Sequence, residues 1–179
     1  MWYIFSMETS DLTPESWPIL SLIRPPTDEV VRYYRTVLYP LQDRVLGFCP
    51  WPEGWTLSGG TALSRFMADH RFSDDLDFFF YHDDPEIFLR HCRRFDGLLR
   101  HAGFSITSEV ETDYFRRFFL DDGNNTLKIE RILEPRPSLG SFCRLDHAVV
   151  DSPENLAVNK LNALIGRNLA RDLYDLWHL

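Results

Sequence analysis

The 179-residue chain is long enough for one domain with its own core, and its 44% hydrophobic and 15% aromatic content excludes a disordered polypeptide. Lys and Arg total 19 against 27 Asp and Glu, a formal charge of −8, which argues against nucleic-acid binding through overall charge and leaves open a local basic face. Three scattered cysteines (Cys49, Cys92, Cys143) without a CxxC pair exclude a disulfide framework or zinc site.

Residues 1–26 read as an N-terminal extension, a short helix and loop ending at Pro25-Pro26. Its apolar start, Met1 to Phe5, lacks the basic residues and long apolar run of a signal peptide. No apolar run reaches the roughly 20 residues that cross a bilayer. The expectation is a soluble, cytoplasmic protein with no membrane partner. From Thr27, an N-cap candidate, Val30, Val31, Tyr34, Val37, Leu38, Leu41 and Val45 recur at helical spacing. A turn at Cys49–Gly54 leads to a short strand, Trp55-Thr56-Leu57, and then to a helix over Ala62 to about Asp69.

Leu76 to Tyr81 is a nearly continuous apolar run, the pattern of a central strand covered on both faces. Pro85 opens a helix with Phe88, Cys92, Phe95, Leu99 and Ala102 on one side, stopping at Gly103. Strands follow over 104–110, 114–120 and 126–133, with a hairpin turn at Asp121–Asn125. A short strand is expected near Ala148, then helices from Pro153 to about Gly166 and from Ala170 to Leu179. The fold class is α+β with a mixed sheet. The divisions are the extension to residue 26, a core over 27–150 and a helical segment over 151–179.

Chemistry concentrates in Leu57-Ser58-Gly59-Gly60-Thr61 and Asp75-Leu76-Asp77. A strand running through two glycines into a helix start exposes backbone N–H groups to an anion, which the helix dipole favours. The bland alternative is an ordinary turn. Asp75 and Asp77, two apart at a strand start, project from one face and repel unless a cation joins them. Mg²⁺, an oxygen-seeking ion that also takes phosphate oxygens, is the natural partner. Glu130, on a later strand, is the candidate third carboxylate of a two-metal site or the base for an attacking hydroxyl. Lone acidic residues at strand ends are commonly just solvated; the ordered combination carries the reading.

These stretches, with Ala62-Leu63-Ser64 and Arg71-Phe72-Ser73-Asp74 extending them, resemble the signature of the AbiEii/AbiGii-type nucleotidyltransferase toxins. Asn155-Leu156-Ala157-Val158-Asn159-Lys160-Leu161 and Arg171-Asp172-Leu173-Tyr174-Asp175-Leu176 resemble that family's helical motifs. The resemblance covers about Leu57 to Leu179. It implies the DNA polymerase β-like nucleotidyltransferase fold and transfer of nucleotides from an NTP, with Mg²⁺, two ions, as cofactor. Family members often serve as toxins of phage-defence toxin–antitoxin pairs, some acting on tRNA, so RNA and a cognate antitoxin are the expected partners. Two departures stand out: relatives usually continue with further helices, and an Asp is commoner than Glu130 at the third acidic position.

The resulting candidates are Asp75, Asp77, Glu130 and Asp172 for catalysis, the first three also as metal ligands. Ser58, Gly59, Gly60, Thr61, Lys160 and Arg171 are the nucleotide-binding candidates. Lys160 lies in an apolar stripe with Leu156 and Leu164, where an ammonium snorkels or meets an anion; the resemblance favours phosphate. Asp172 lies between Leu169 and Leu176 and therefore needs a partner, Arg171 or another base. Arg171 and Asp175, four apart, read as a surface pair. Arg90, Arg93, Arg94, Arg100 and His101 share one helix face, a candidate RNA contact or simply a solvated surface. Two rival readings remain open at this point: a small-molecule acceptor, or a degenerate domain that binds nucleotide or a protein.

Overall fold

The computed structural model describes residues 3–4, 23–24, 26–167 and 169–179. Within the extension, β1 (Tyr3–Ile4) pairs antiparallel with β2 (Ile23–Arg24), while the expected short helix lies outside the described residues. Thr27 caps α1 (Asp28–Tyr33), its Oγ1 accepting from the Val30 N–H at 3.4 Å. The helix passes through a π-turn at Tyr34–Leu38 into α2 (Tyr39–Phe48). Pro40 lies just beyond that turn; it brings no N–H and crowds the preceding turn, and a wider turn accommodates it.

β3 (Trp55–Ser58) runs directly into α3 (Gly59–Leu63), which begins at the first glycine, earlier than the pattern predicts. A π-turn over Ser64–Ala68 ends at Asp69 in the left-handed conformation (φ 44°). Then come β4 (Leu76–Tyr81), α4 (Pro85–His101), β5 (Ser105–Glu111), β6 (Phe115–Asp121) and β7 (Thr126–Glu134). The short β8 (Cys143–Arg144) and β9 (Val149–Val150) precede α5 (Pro153–Arg167) and α6 (Ala170–Trp177).

The main sheet has the order β5-β6-β7-β4-β3-β9-β8. It is mixed: β4 pairs parallel with β7 and antiparallel with β3, and β3 pairs parallel with β9. β4 is central, but the expectation that both its faces are covered is corrected. Leu76, Phe78 and Phe80 are buried, whereas Asp77, Phe79 and Tyr81 are half-buried. Helices fill one face; the other is the floor of a cleft.

On the filled face Trp55 meets Phe78, Phe80, Phe88 and Phe95 at ring separations of 5.9 to 6.5 Å. The expected α4 stripe supplies this packing: Phe88, Cys92, Phe95 and Leu99 are fully buried. Each such aromatic contributes roughly 1.5–3 kcal/mol by leaving water, which fixes the sheet against α4. The other face of the sheet is left to form the floor of the cleft.

Candidate active site

Strand register alone builds the floor of the site. Asp77 on β4 is paired with Ser58 on β3 and Glu130 on β7, and Glu130 in turn is paired with Arg117 on β6. Side chains of residues directly opposite project to the same face, so these four form a row across the sheet. Lys128 and Ile132 lie two residues either side of Glu130 and share that face, as does Phe79 beside Asp77. Together with α5 and α6 they enclose a cavity of about 420 Å³. Its size suits a nucleotide.

The Gly-Gly turn forms the end of the cavity. Gly59 has φ +69°, and a Cβ there would collide with the Asp77 carboxylate; a Cβ on Gly60 would stand 2.5 Å from Arg71 Nη2. Each glycine thus lets a charged group sit on bare backbone, an acid on the first and a base on the second.

Six cationic side chains (Arg71, Arg117, Lys128, Lys160, Arg167 and Arg171) and four acidic ones (Asp74, Asp75, Asp77 and Glu130) line the cavity. Three of these cations (Arg71, Lys160 and Arg167) are paired with acids behind the lining, so the site is rich in charge of both signs, with basic groups placed to meet an anionic ligand. The acids group at one side. Burial, then the neighbouring Glu130 and Asp75, push the Asp77 carboxyl up to about 6. Lys128 Nζ lies 2.6 Å from Asp75 and 3.4 Å from Glu130, and Arg117 Nε donates to Glu130 at 2.8 Å. Asp75, Asp77 and Glu130 are hard oxygen donors whose mutual repulsion a divalent ion relieves, so the donor chemistry fits. As placed, no three His, Cys, Asp or Glu side chains among the described residues are close enough to hold an ion. Lys128 and Arg117 take up that charge instead.

The opposite wall is an ion-pair network. Asp175 is fully buried; its carboxylate accepts from Arg71 Nε (2.6 Å) and Nη2 (2.7 Å), pairs with Lys160 Nζ (2.5 Å) and meets His70 Nε2 at 2.7 Å. Burial pushes the Asp175 carboxyl up, but the Arg71 and His70 hydrogen bonds and the Lys160 charge outweigh it and hold it well below the usual carboxylate range. Asp172, also fully buried, accepts from Arg167 Nε and Nη2 at 2.8 Å and lies 3.4 Å from Lys160.

Of the predicted site residues, Asp75, Asp77, Glu130, Gly59, Gly60, Lys160 and Arg171 line this one cavity. Three do not. Ser58 is buried beneath it, 3.3 Å from Asn159 Nδ2. Thr61 is buried with its hydroxyl donating to the Asp75 carbonyl at 2.5 Å, so its side chain is unavailable to phosphate. Asp172, expected to be catalytic, stands behind the lining as the counter-ion of Lys160 and Arg167. The expected surface pair of Arg171 and Asp175 does not form, because Asp175 faces inward to Arg71. The basic stripe of α4 is exposed but lies on the filled side, across the sheet from the cavity.

Arg117, Lys128 and Arg167 line the cavity without being site candidates in the sequence, as do Arg71 and Asn159, which stand within the family-like stretches but carry no assigned role there. Lys128 is within reach of a parity argument, being two residues from Glu130; Arg71 is not, since its partner is 104 positions away.

A carboxylate row beside a glycine-lined helix start, inside a cleft lined by basic side chains on a mixed sheet, defines a nucleotidyltransferase-type domain. The profile of the family described as "Nucleotidyl transferase AbiEii toxin, Type IV TA system" matches residues 42–179, and the chain belongs to that family. Similar solved structures share the fold. The Helicobacter pylori protein JHP933 (TM-score 0.59, 23% identity) matches over 85% of this chain and 66% of its own. MenT4, the nucleotidyltransferase toxin Rv2826c of Mycobacterium tuberculosis H37Rv (0.56, 24%), matches over 80% and 57%. The Megavirus polyadenylate synthase (0.50, 13%) matches over 84% and 32%. The chain therefore spans somewhat under two thirds of JHP933 and less of the other two. No curated protein matches the sequence. No helix among the described residues is long and apolar enough to cross a membrane.

Proposed function

We propose that the chain transfers a nucleotide from an NTP to an acceptor hydroxyl, and acts as the toxin of a toxin–antitoxin pair with RNA, such as tRNA, as acceptor. The observation that carries the chemistry is the juxtaposition at the Gly-Gly turn: Asp77 on Gly59, Arg71 on Gly60, and Asp75 and Glu130 on the same floor. The RNA acceptor and the antitoxin rest on the family resemblance.

Asp75, Asp77 and Glu130 would hold Mg²⁺, with Lys128 and Arg117 giving way. When bound, the metal supplies positive charge to the phosphate oxygens and to the attacking oxygen. The Gly59-Gly60 backbone takes the phosphates, and Arg71, Arg167 and Arg171 neutralise them. Lys160, tied to two buried carboxylates, sets the field of that wall. Phe79 and Ile132 offer an apolar floor for the nucleoside. The acceptor oxygen bonds to the α-phosphorus, the bond from that phosphorus to the pyrophosphate oxygen breaks, and the acceptor proton passes to Glu130.

The direct test is transfer of label from an α-³²P NTP to RNA with Mg²⁺. Asp75→Ala is expected to abolish labelling with its fold, read by circular dichroism, retained. Labelling that survives this substitution defeats the assignment.

A further inference from the structure

Asp77 is fixed by strand pairing, but Asp75 is not: it precedes β4, whose register begins at Leu76 opposite Ile129. Something else must hold Asp75 at a set distance from Asp77. Four successive carbonyls leading into the strand each accept a hydrogen bond from a side chain. Phe72 O accepts from Arg71 Nη1 at 2.7 Å, Ser73 O and Asp74 O both accept from Gln42 Nε2 at 3.1 Å, and Asp75 O accepts from Thr61 at 2.5 Å.

Gln42 is the centre of this arrangement. It is fully buried on α2, among the apolar positions Leu38, Leu41, Val45 and Leu46. Both hydrogens of its amide are used on the two carbonyls, and its Oε1 accepts from Arg65 Nη1 at 3.0 Å. The carboxamide orientation is dictated by chemistry, since the flipped amide would aim its oxygen at two carbonyls and its NH₂ at a guanidinium. Arg65 is itself anchored on Asp43 at 2.7 Å and over the Tyr39 ring at 4.3 Å. Nearby, Tyr34 hydrogen-bonds the Asp74 carboxylate and stacks on Phe72 at 4.1 Å.

We infer that Gln42, with Thr61, is a positioning residue of the active site: it fixes the backbone carrying Asp75 and so sets the spacing of the two aspartates. This rests on the transfer reading above. Neither side chain touches the cavity, and both act through the carbonyls of 73–75. A carboxylate misplaced by about 1 Å costs on the order of 100-fold in rate, so loosening this segment is felt in turnover first.

The experiment compares wild type with Gln42→Leu, which keeps the bulk and removes both donors, and with Leu99→Ala, a core change on α4 remote from the site. Three quantities are read: kcat, KM for NTP, and Mn²⁺ affinity by electron paramagnetic resonance without turnover. For Gln42→Leu, kcat is expected to fall 10- to 100-fold and Mn²⁺ affinity at least fivefold, while KM stays within about threefold. Leu99→Ala should lower the melting temperature and leave kcat and Mn²⁺ affinity near wild type. If Gln42→Leu does not fold, Thr61→Val carries the same expectation. Values of kcat and Mn²⁺ affinity within twofold of wild type in the folded variant, or an equal fall in Leu99→Ala, overturn the inference. A wild type that binds Mn²⁺ but does not label RNA sinks the transfer reading alone, and the Mn²⁺ comparison then still decides the role of Gln42. A wild type that neither binds Mn²⁺ nor labels sinks both.

Discussion

The two walls of the cavity are held by different forces. On the sheet wall, Asp77, Glu130 and Arg117 stand where backbone hydrogen bonds between β4, β7 and β6 put them. On the helical wall, Lys160, Arg167 and Arg71 stand where Asp172 and Asp175 hold them. Removing a side chain from the first wall leaves its scaffold intact; removing one from the second removes the scaffold. Acids on the sheet wall are crowded by one another, whereas acids on the helical wall are surrounded by cations. The same residue type is therefore a burden in one place and a support in the other.

Paired substitutions expose this contrast most strongly. Asp175→Ala leaves the buried Lys160 and the partly buried Arg71 without their shared counter-ion, and stripping one partner from a buried pair costs roughly 3–5 kcal/mol. At about 2–4 °C per kcal/mol for a domain of this size, the melting temperature should drop by roughly 10 °C. Asp77→Asn should do the reverse. Its carboxyl is pushed up to about 6 by burial and by Glu130 and Asp75, so its charged form is disfavoured in the folded state. In metal-free buffer at pH 7, Asp77→Asn should melt at or above the wild-type temperature. If calorimetry finds both variants destabilised equally, the division between the walls is wrong.

Acid sharpens the comparison next. The folded-state pKa of Asp175 lies below its ordinary value of 3.8, so across the interval between the two the unfolded chain binds more protons. Its contribution is complete above about pH 4, where the unfolded chain's carboxyl is also ionised, and is lost as pH falls through the depressed folded value. Melting curves taken from pH 5 to pH 2 should fall less steeply for Asp175→Asn than for wild type. Parallel curves would mean that the network contributes no acid lability.

The same division explains what the sequence discloses. Strand residues obey a period of two, so Asp77 is legible as facing the site with Glu130 as a candidate partner acid. Asp75, just before the strand, lines the same cavity as the spacing suggests but is held there by other means, and the α4 stripe and the hairpin turn are legible too. Helix residues of the tail are half legible: the stripe positions of Lys160 and Asp172 announce buried charge, but not its partners. Asp175 reads as a surface partner of Arg171, and that reading fails because Arg71 and His70 come from far earlier in the chain. Thr61 belongs to the glycine signature and so reads as a phosphate ligand; its carbonyl partner at Asp75 has no sequence signal. Gln42 is silent for the same reason, a polar residue whose hydrogen-bond partners are largely backbone atoms.

The smallest expected effect concerns the exposed α4 arginines. Arg93 and Arg94 are on the side of the sheet filled by Trp55, Phe78 and Phe95, with the whole sheet between them and Asp77. At physiological salt, fields from solvated charges fade over about 8 Å, so these charges reach the cavity weakly. Reversing both, Arg93→Glu with Arg94→Glu, should change KM for NTP by less than about twofold. RNA binding by the double variant then separates two surfaces. Unchanged affinity places the acceptor wholly on the cavity face, and a loss with unchanged KM makes α4 a remote RNA contact. A large change in KM itself would show that the sheet does not insulate the two faces.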